Sequence, residues 1–426
     1  MDRKDLSRRG FLRLAGAGTA AAALGPGALG AEPAGQRPNV VLIISDDQGY
    51  TDYGFMRHDT IQTPHLDRFA SESVVFTRGY VTTALCCPSL STMLTGLYPH
   101  QHRITGNDPV VREDRPLWYE AFEQCPRLPA MLGEAGYASF QTGKFWMGHY
   151  ARAGFTGGMT VKGRHGEAGL DIGRKTMKPL FDFVDSTQES GQPFFLWYAP
   201  FMPHTPHTPP ERILAKYAGA GANAKYYAMC EWFDETCGQL LGYLDEHGLR
   251  GNTMVVYVCD NGWPGEVKGS PYEMGIRTPI MIRWPGRAEP RMDTSHLASN
   301  IDLVPTMLTA CGLEPTPEMP GVNLLDAAAV DGRTRVFGEN FCHDMADVTA
   351  PGKSLRTRTC IDGDWKLIAW QNPLPDVHTN NPIRRCEGDF ELYNLREDPA
   401  ETVNLAEARP ERVAAMKKLL DDWWQP

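Results

Sequence analysis

The run Asn39-Val40-Val41-Leu42-Ile43-Ile44-Ser45, followed at once by Asp46-Asp47-Gln48-Gly49, decides the fold. A continuous apolar run of this length, closed by a turn signal, reads as a strand covered on both faces. Such strands belong to parallel sheets flanked by helices, and those sheets bind ligands where the strands end. The two carboxylates therefore stand where a ligand would stand. Adjacent carboxylates suit a hard cation that takes oxygen ligands, and Asp-Asp-x-Gly is equally good turn chemistry.

The pattern recurs along the chain. Residues 137–142, 194–199, 254–259 and 279–284 read as further strands, and 63–73, 89–94, 224–247 and 303–311 as helices. The alternation predicts an α/β domain over residues 32–337, with a large, mostly parallel central sheet between helices. Beyond residue 338 the pattern changes. Stretches 359–370 and 390–395 look like short antiparallel strands, and a helix over 410–424 closes the chain. A smaller C-terminal α+β subdomain is expected over 338–426.

Composition narrows the function. The 426 residues are 42% hydrophobic and 22% charged, with a formal net charge of -10. A surface this acidic excludes nucleic acid as a general partner, since phosphate backbones need a positive face. A local positive pocket can still take an anionic substrate. At the N-terminus, Ser7-Arg8-Arg9-Gly10-Phe11-Leu12 sets a twin arginine before a run rich in Ala, Gly and Leu. Residues 1–31 resemble a twin-arginine export signal, which predicts the periplasm or beyond as the destination. No later segment is long and apolar enough to span a bilayer, so no stable membrane anchor is expected. Ten cysteines without a Cys-x-x-Cys pair are too sparse for a disulfide scaffold.

Two more segments carry chemistry. Cys259-Asp260-Asn261-Gly262 follows the strand at 254 and offers two further oxygen ligands, again in good turn sequence. In Leu85-Cys86-Cys87-Pro88-Ser89-Leu90, Pro88 and Ser89 suit the first turn of a helix. Cys86 would lie at its N-terminus, where the helix dipole lowers a thiol pKa and stabilises anions.

Taken together, these segments resemble the type I sulfatases of the alkaline-phosphatase superfamily. That family's signature is Cys-x-Pro-Ser-Arg with a Thr-Gly several residues on; here it reads Cys86-Cys87-Pro88-Ser89-Leu90, then Leu94-Thr95-Gly96. The resemblance also covers Thr63-Pro64-His65-Leu66-Asp67-Arg68, Thr142-Gly143-Lys144, Pro203-His204-Thr205-Pro206 and Tyr272-Glu273-Met274-Gly275-Ile276-Arg277-Thr278-Pro279. It continues to Leu392-Tyr393-Asn394-Leu395 and Asp398-Pro399-Ala400-Glu401.

The resemblance implies hydrolysis of a sulfate ester on a sulfated carbohydrate. It implies that a formylglycine-generating enzyme converts Cys86 to formylglycine. It further implies one divalent cation, calcium or magnesium, held by Asp46, Asp47, Asp260, Asn261 and residue 86. By the same resemblance, Lys144 and Lys268 contact sulfate or the hydrated aldehyde, and His204 protonates the leaving alcohol. His207 is a rival for that role or a substrate contact.

Two positions depart from the family pattern. Leu90 stands where arginine is usual, and Trp146 stands where many sulfatases have the histidine of Gly-Lys-Trp-His. His149, Arg152, Lys162, Arg164 and His165 are the nearby candidates to substitute, with Arg164 and His165 expected to bind substrate. The readings carried beside sulfate-ester hydrolysis are a phosphatase or phosphonate monoester hydrolase, and a non-catalytic protein that binds sulfated glycans.

Overall fold

The computed structural model describes residues 37–163, 167–264, 267–371, 373, 375 and 388–426. The expected export signal lies outside them. The main sheet contains β1 (Asn39–Ser45), β2 (Val74–Phe76), β3 (Ala138–Gly143), β4 (Gly157–Gly158), β5 (Phe194–Ala199), β6 (Thr253–Cys259), β7 (Ile280–Arg283) and β8 (Arg291–Asp293). Their spatial order is β8-β2-β7-β6-β1-β5-β3-β4. The strand whose sequence decided the fold thus lies inside the sheet, parallel to β5 and β6 on either side.

Period-two alternation explains why β1 is apolar throughout. Val40, Leu42 and Ile44 pack on one side with α2 (Cys86–Thr95) and α5 (Leu303–Ala310). Val41 and Ile43 pack on the other with α1 (Pro64–Ser71), α3 (Lys178–Ser190) and α4 (Ala224–Glu246). Each such side chain contributes about 1.5–3 kcal/mol by burial, before chain entropy is charged against it. The sheet is mostly parallel, as expected. β7 is the exception, antiparallel to both β6 and β2, because an apolar run carries no mark of direction.

A second sheet, in order β9 (Arg335–Phe341), β10 (Leu355–Asp362), β11 (Trp365–Trp370) and β12 (Phe390–Asn394), is antiparallel throughout. α6 (Pro410–Trp423) covers one face through Met416 and Leu420, against Cys360, Leu367 and Leu392. β9 starts at Arg335, ahead of the boundary expected at 338. Between the two sheets, the wholly buried Lys366 reaches Glu273 Oε1 at 3.2 Å and Glu401 Oε1 at 2.7 Å. None of the nine described cysteines forms a disulfide, and no helix among the described residues is long and apolar enough to cross a membrane.

Candidate active site

The ends of β1, β3, β5 and β6 place most of the site. Ser45 and Cys259 are register partners, and the Asp260 N–H donates to the Ser45 carbonyl at 3.0 Å. Asp46 and Asp260 therefore leave the sheet side by side. Lys144 follows β3 through Gly143, whose φ of 72° lies in the left-handed region. A Cβ there would come within 1.8 Å of the Ala199 carbonyl oxygen, so only glycine fits. The Lys144 N–H donates to that same carbonyl at 2.5 Å, and Trp197 Nε1–H donates to the Lys144 carbonyl at 3.2 Å. Cys86 is the first residue of α2 and is 1% exposed.

The buried side chains interlock. Lys144 Nζ donates to Asp46 Oδ1 at 2.5 Å and to Asp260 Oδ2 at 3.3 Å. Lys268 Nζ donates to Asp47 Oδ1 at 2.7 Å. Asn261 Nδ2 donates to Asp47 Oδ1 at 2.6 Å and Asp260 Oδ1 at 2.8 Å. The Cys86 thiol points at Asn261 Oδ1, 3.7 Å away. His204 Nε2 stands 3.4 Å from Asp47 Oδ2. Its Nδ1 lies 2.6 Å from the Thr205 carbonyl, which can only accept, so Nδ1 carries a proton.

Three carboxylates face two ammonium groups here, and burial makes the balance matter. Burial raises Asp46, with the Lys144 charge opposing it. Burial and the neighbouring Asp46 charge push Asp260 up to about 7. Burial would also raise Asp47, but Lys268 and His204 outweigh it and hold that carboxyl down at about 2. Burial opposes the charge on Lys144, yet Asp260 and Asp46 lift its pKa well above the usual lysine range. Burial pulls His204 down to about 4, so its ring is neutral and Nε2 presents a lone pair. Cys86 departs from the sequence expectation. Burial pushes its thiol up to about 12, and the helix terminus does not overcome that cost.

The donor set fits a hard cation. Atoms of Asp46, Asp47, Cys86 and His204 all lie within 4.8 Å of one another. Asp46 Oδ2 is buried and has no hydrogen-bond partner, a costly state that a metal would relieve. Asp260 and Asn261 adjoin this group through the contacts above. His204, which the family resemblance makes a proton donor, thus stands beside the prospective ligands, its Nε2 against Asp47.

Other expected residues fall elsewhere. His207 packs its ring against Tyr226 and Trp263, with centroids 5.7 and 5.5 Å away. Among the described residues, no hydrogen bond or ion pair joins it to the cluster. His149 accepts the Ala151 N–H at 3.2 Å, and Arg152 pairs with Glu123 and stacks on Tyr119. Lys162 is exposed. Among the described residues, none of these three forms a hydrogen bond or ion pair with the cluster. Arg164 and His165 lie outside the described residues. Leu90 is 3% exposed and belongs to the apolar core with Met93 and Leu94. Trp146 is buried in the same core.

Two supporting residues had no legible signal. Asn107 Oδ1 accepts the Cys87 N–H at 2.9 Å and so holds the first turn of α2. Arg174 binds the loop that carries His204. Both act on main-chain atoms far away in sequence, which no local motif announces.

A mixed sheet between helices, with acidic groups, two lysines and a helix-terminal cysteine at its strand ends, defines a metal-assisted hydrolase of anionic esters. A family model described as Sulfatase matches residues 38–313, and one described as N-sulphoglucosamine sulphohydrolase, C-terminal, matches 267–424. The chain belongs to the sulfatase family, and its activity is hydrolysis of sulfuric esters. It is 26% identical to bovine arylsulfatase A, over 93% of this chain and 89% of that one. It is 25% identical to an N-acetylgalactosamine-6-O-sulfatase of Bacteroides thetaiotaomicron, covering 91% and 93% of the two chains. A sulfatase structure from a Pseudoalteromonas species shares the fold with a TM-score of 0.71 at 19% identity, over 91% of this chain and 90% of that one.

Proposed function

We propose that the substrate is a sulfate ester of a carbohydrate, cleaved by a formylglycine made from Cys86 beside a bound calcium ion. The observation that carries this reading is the placement of Cys86 at the first turn of α2, facing Asn261 within a cluster of three aspartates and two lysines. The sugar preference is supported by the likeness to the N-acetylgalactosamine-6-O-sulfatase of Bacteroides thetaiotaomicron.

Asp46, Asp47, Asp260, Asn261 and residue 86 would hold the cation. When bound, it supplies acidity to a coordinated hydroxyl and neutralises sulfate oxygens. The chain's own groups do the rest. A divalent charge added to three carboxylates and two ammoniums leaves one positive charge in excess, the sign that an anionic ester needs. Lys144 and Lys268 supply fixed positive charge without reorganisation, because carboxylates already orient them. His204, with its Nδ1–H fixed on Thr205, presents Nε2 to the leaving oxygen. There it can deliver to that oxygen a proton that Nε2 has first taken up from solvent. Residues 1–31 direct export by the twin-arginine route, and a formylglycine-generating enzyme matures residue 86. Replacing Arg8 and Arg9 with lysine is expected to leave the protein in the cytoplasm.

The test is the mass of the tryptic peptide spanning residue 86, from protein made in its own host. Formylglycine lowers it by about 18 Da relative to cysteine. Unmodified cysteine in fully active enzyme would sink the formylglycine reading. Dialysis against a chelator, then addition of calcium or magnesium, identifies the cation by which of them restores aryl sulfate hydrolysis.

A further inference from the structure

The loop that carries His204 is poor in its own hydrogen bonds. From residue 200 to 210 it contains Pro200, Pro203, Pro206, Pro209 and Pro210, none of which has an N–H to donate. Its carbonyls accordingly outnumber its donors, so their partners must come from outside the loop, from another side chain or from solvent. The Arg174 guanidinium supplies them. Nη1–H donates to the Pro206 carbonyl at 3.2 Å and to Thr208 Oγ1 at 3.1 Å. Nη2–H donates to the His204 carbonyl at 3.2 Å and also to the Phe201 carbonyl. One planar fork, with five donors in fixed directions, thus gathers four acceptors on a single loop.

The positions of those acceptors matter more than their number. The carbonyls of His204 and Pro206 flank the Thr205 carbonyl. That middle carbonyl receives His204 Nδ1–H and so decides which ring nitrogen faces Asp47. The ring also stacks on Phe201, centroids 4.1 Å apart, and Arg174 anchors the Phe201 carbonyl too. Both restraints on the imidazole therefore rest on backbone that Arg174 holds. Arg174 itself lies in a tight turn ahead of α3, where the Gly173 N–H donates to the Thr176 carbonyl at 3.0 Å.

We infer that Arg174 is a positioning residue for His204: by clamping the carbonyls on both sides of Thr205, it keeps Nε2 aimed at the leaving oxygen of the ester. This rests on the reading of His204 as the proton donor. A proton donor matters most when the leaving alcohol is a poor leaving group, and little when it is a good one. Arg174 makes no hydrogen bond or ion pair with the lysines or carboxylates of the cluster and acts on Asp46 only through its charge at a distance, so its loss should disturb that part of the chemistry far less than the aim of His204.

The experiment measures kcat/KM for a series of aryl sulfates whose phenols run from strongly to weakly acidic. Arg174→Gln, Arg174→Lys and His204→Ala are compared with the unmodified enzyme. Arg174→Gln is expected to lose about 10²-fold on the least acidic phenol and under about threefold on the most acidic. Arg174→Lys keeps one or two of the contacts and should fall between, which preserves the test if the glutamine variant does not fold. His204→Ala should show the same steepening. An equal loss across the series in the Arg174 variants, beside a steep response in His204→Ala, overturns the role of Arg174 alone. A flat response in His204→Ala overturns the proton-donor reading, and the role of Arg174 through it.

Discussion

Lys144 is the residue on which the site's electrostatics turn. It is 1% exposed and stands between Asp46 and Asp260. Lys144→Met would leave two buried carboxylates without their counter-ion. In chelator this is expected to cost about 3–5 kcal/mol by calorimetry. Saturating calcium should return part of the loss, and an equal loss in both conditions would argue against a cation at Asp46. Gly143→Ala tests the backbone beneath it. The clash with the Ala199 carbonyl should cost about 3 kcal/mol in urea unfolding, whatever the metal content. Much of this was legible in the sequence. Asp46, Asp47 and Asp260 close apolar runs and Lys144 follows the strand signal of 137–142, so strand ends announce them. Arg174 and Asn107 were not legible, since what makes them useful is a carbonyl or N–H brought near by folding. The thiol of Cys86 was read in the wrong direction, because helix position is visible in sequence and complete burial is not.

Among the elements, the short helical turn after α2 gives the clearest pH signature. His102 is fully buried, accepts the Ile104 N–H on Nδ1 at 3.1 Å, and faces Thr92 Oγ1 with Nε2 at 3.3 Å. Burial, aided by the nearby His100, drops its pKa to about 3. The unfolded chain therefore binds a proton that the folded chain refuses. Stability is full above the ordinary imidazole value and falls as pH drops from there towards 3, by up to about 1.4 kcal/mol per unit. His102→Gln should flatten that slope in urea titrations between about pH 6 and pH 4; an unchanged slope would clear His102 of the effect. Long apolar strands such as β5 and β6 were legible because burial on both faces leaves a continuous mark. β2 was not, being three residues long. β9 was not either, since Gly338-Glu339-Asn340 breaks its apolar pattern and pairing with β10 secures it.

At the scale of the whole molecule, Lys366 joins the C-terminal sheet to the catalytic domain. Lys366→Met should cost about 3–5 kcal/mol, because Glu273 and Glu401 would remain buried and facing each other. Activity should fail below the melting point as well. Glu273 opens the turn whose Gly275 carbonyl accepts the Gly262 N–H at 2.9 Å, just beyond Asn261. Urea unfolding and aryl sulfate hydrolysis, measured side by side, check both parts, and a loss below about 1 kcal/mol would remove Lys366 from the joint. The two-part layout was legible from the change in strand pattern after residue 338, whereas the reversed direction of β7 was not. The register that sets Asp46 beside Asp260 also has a consequence in time. Asn261 binds Asp47 across 214 residues of chain. A ribosome adding about 5–20 residues per second needs about 10–40 s to make that stretch. Until β6 emerges and pairs with β1, the nascent protein holds the first two carboxylates and the cysteine with no finished site around them. Chains released early inherit the acid without the chemistry.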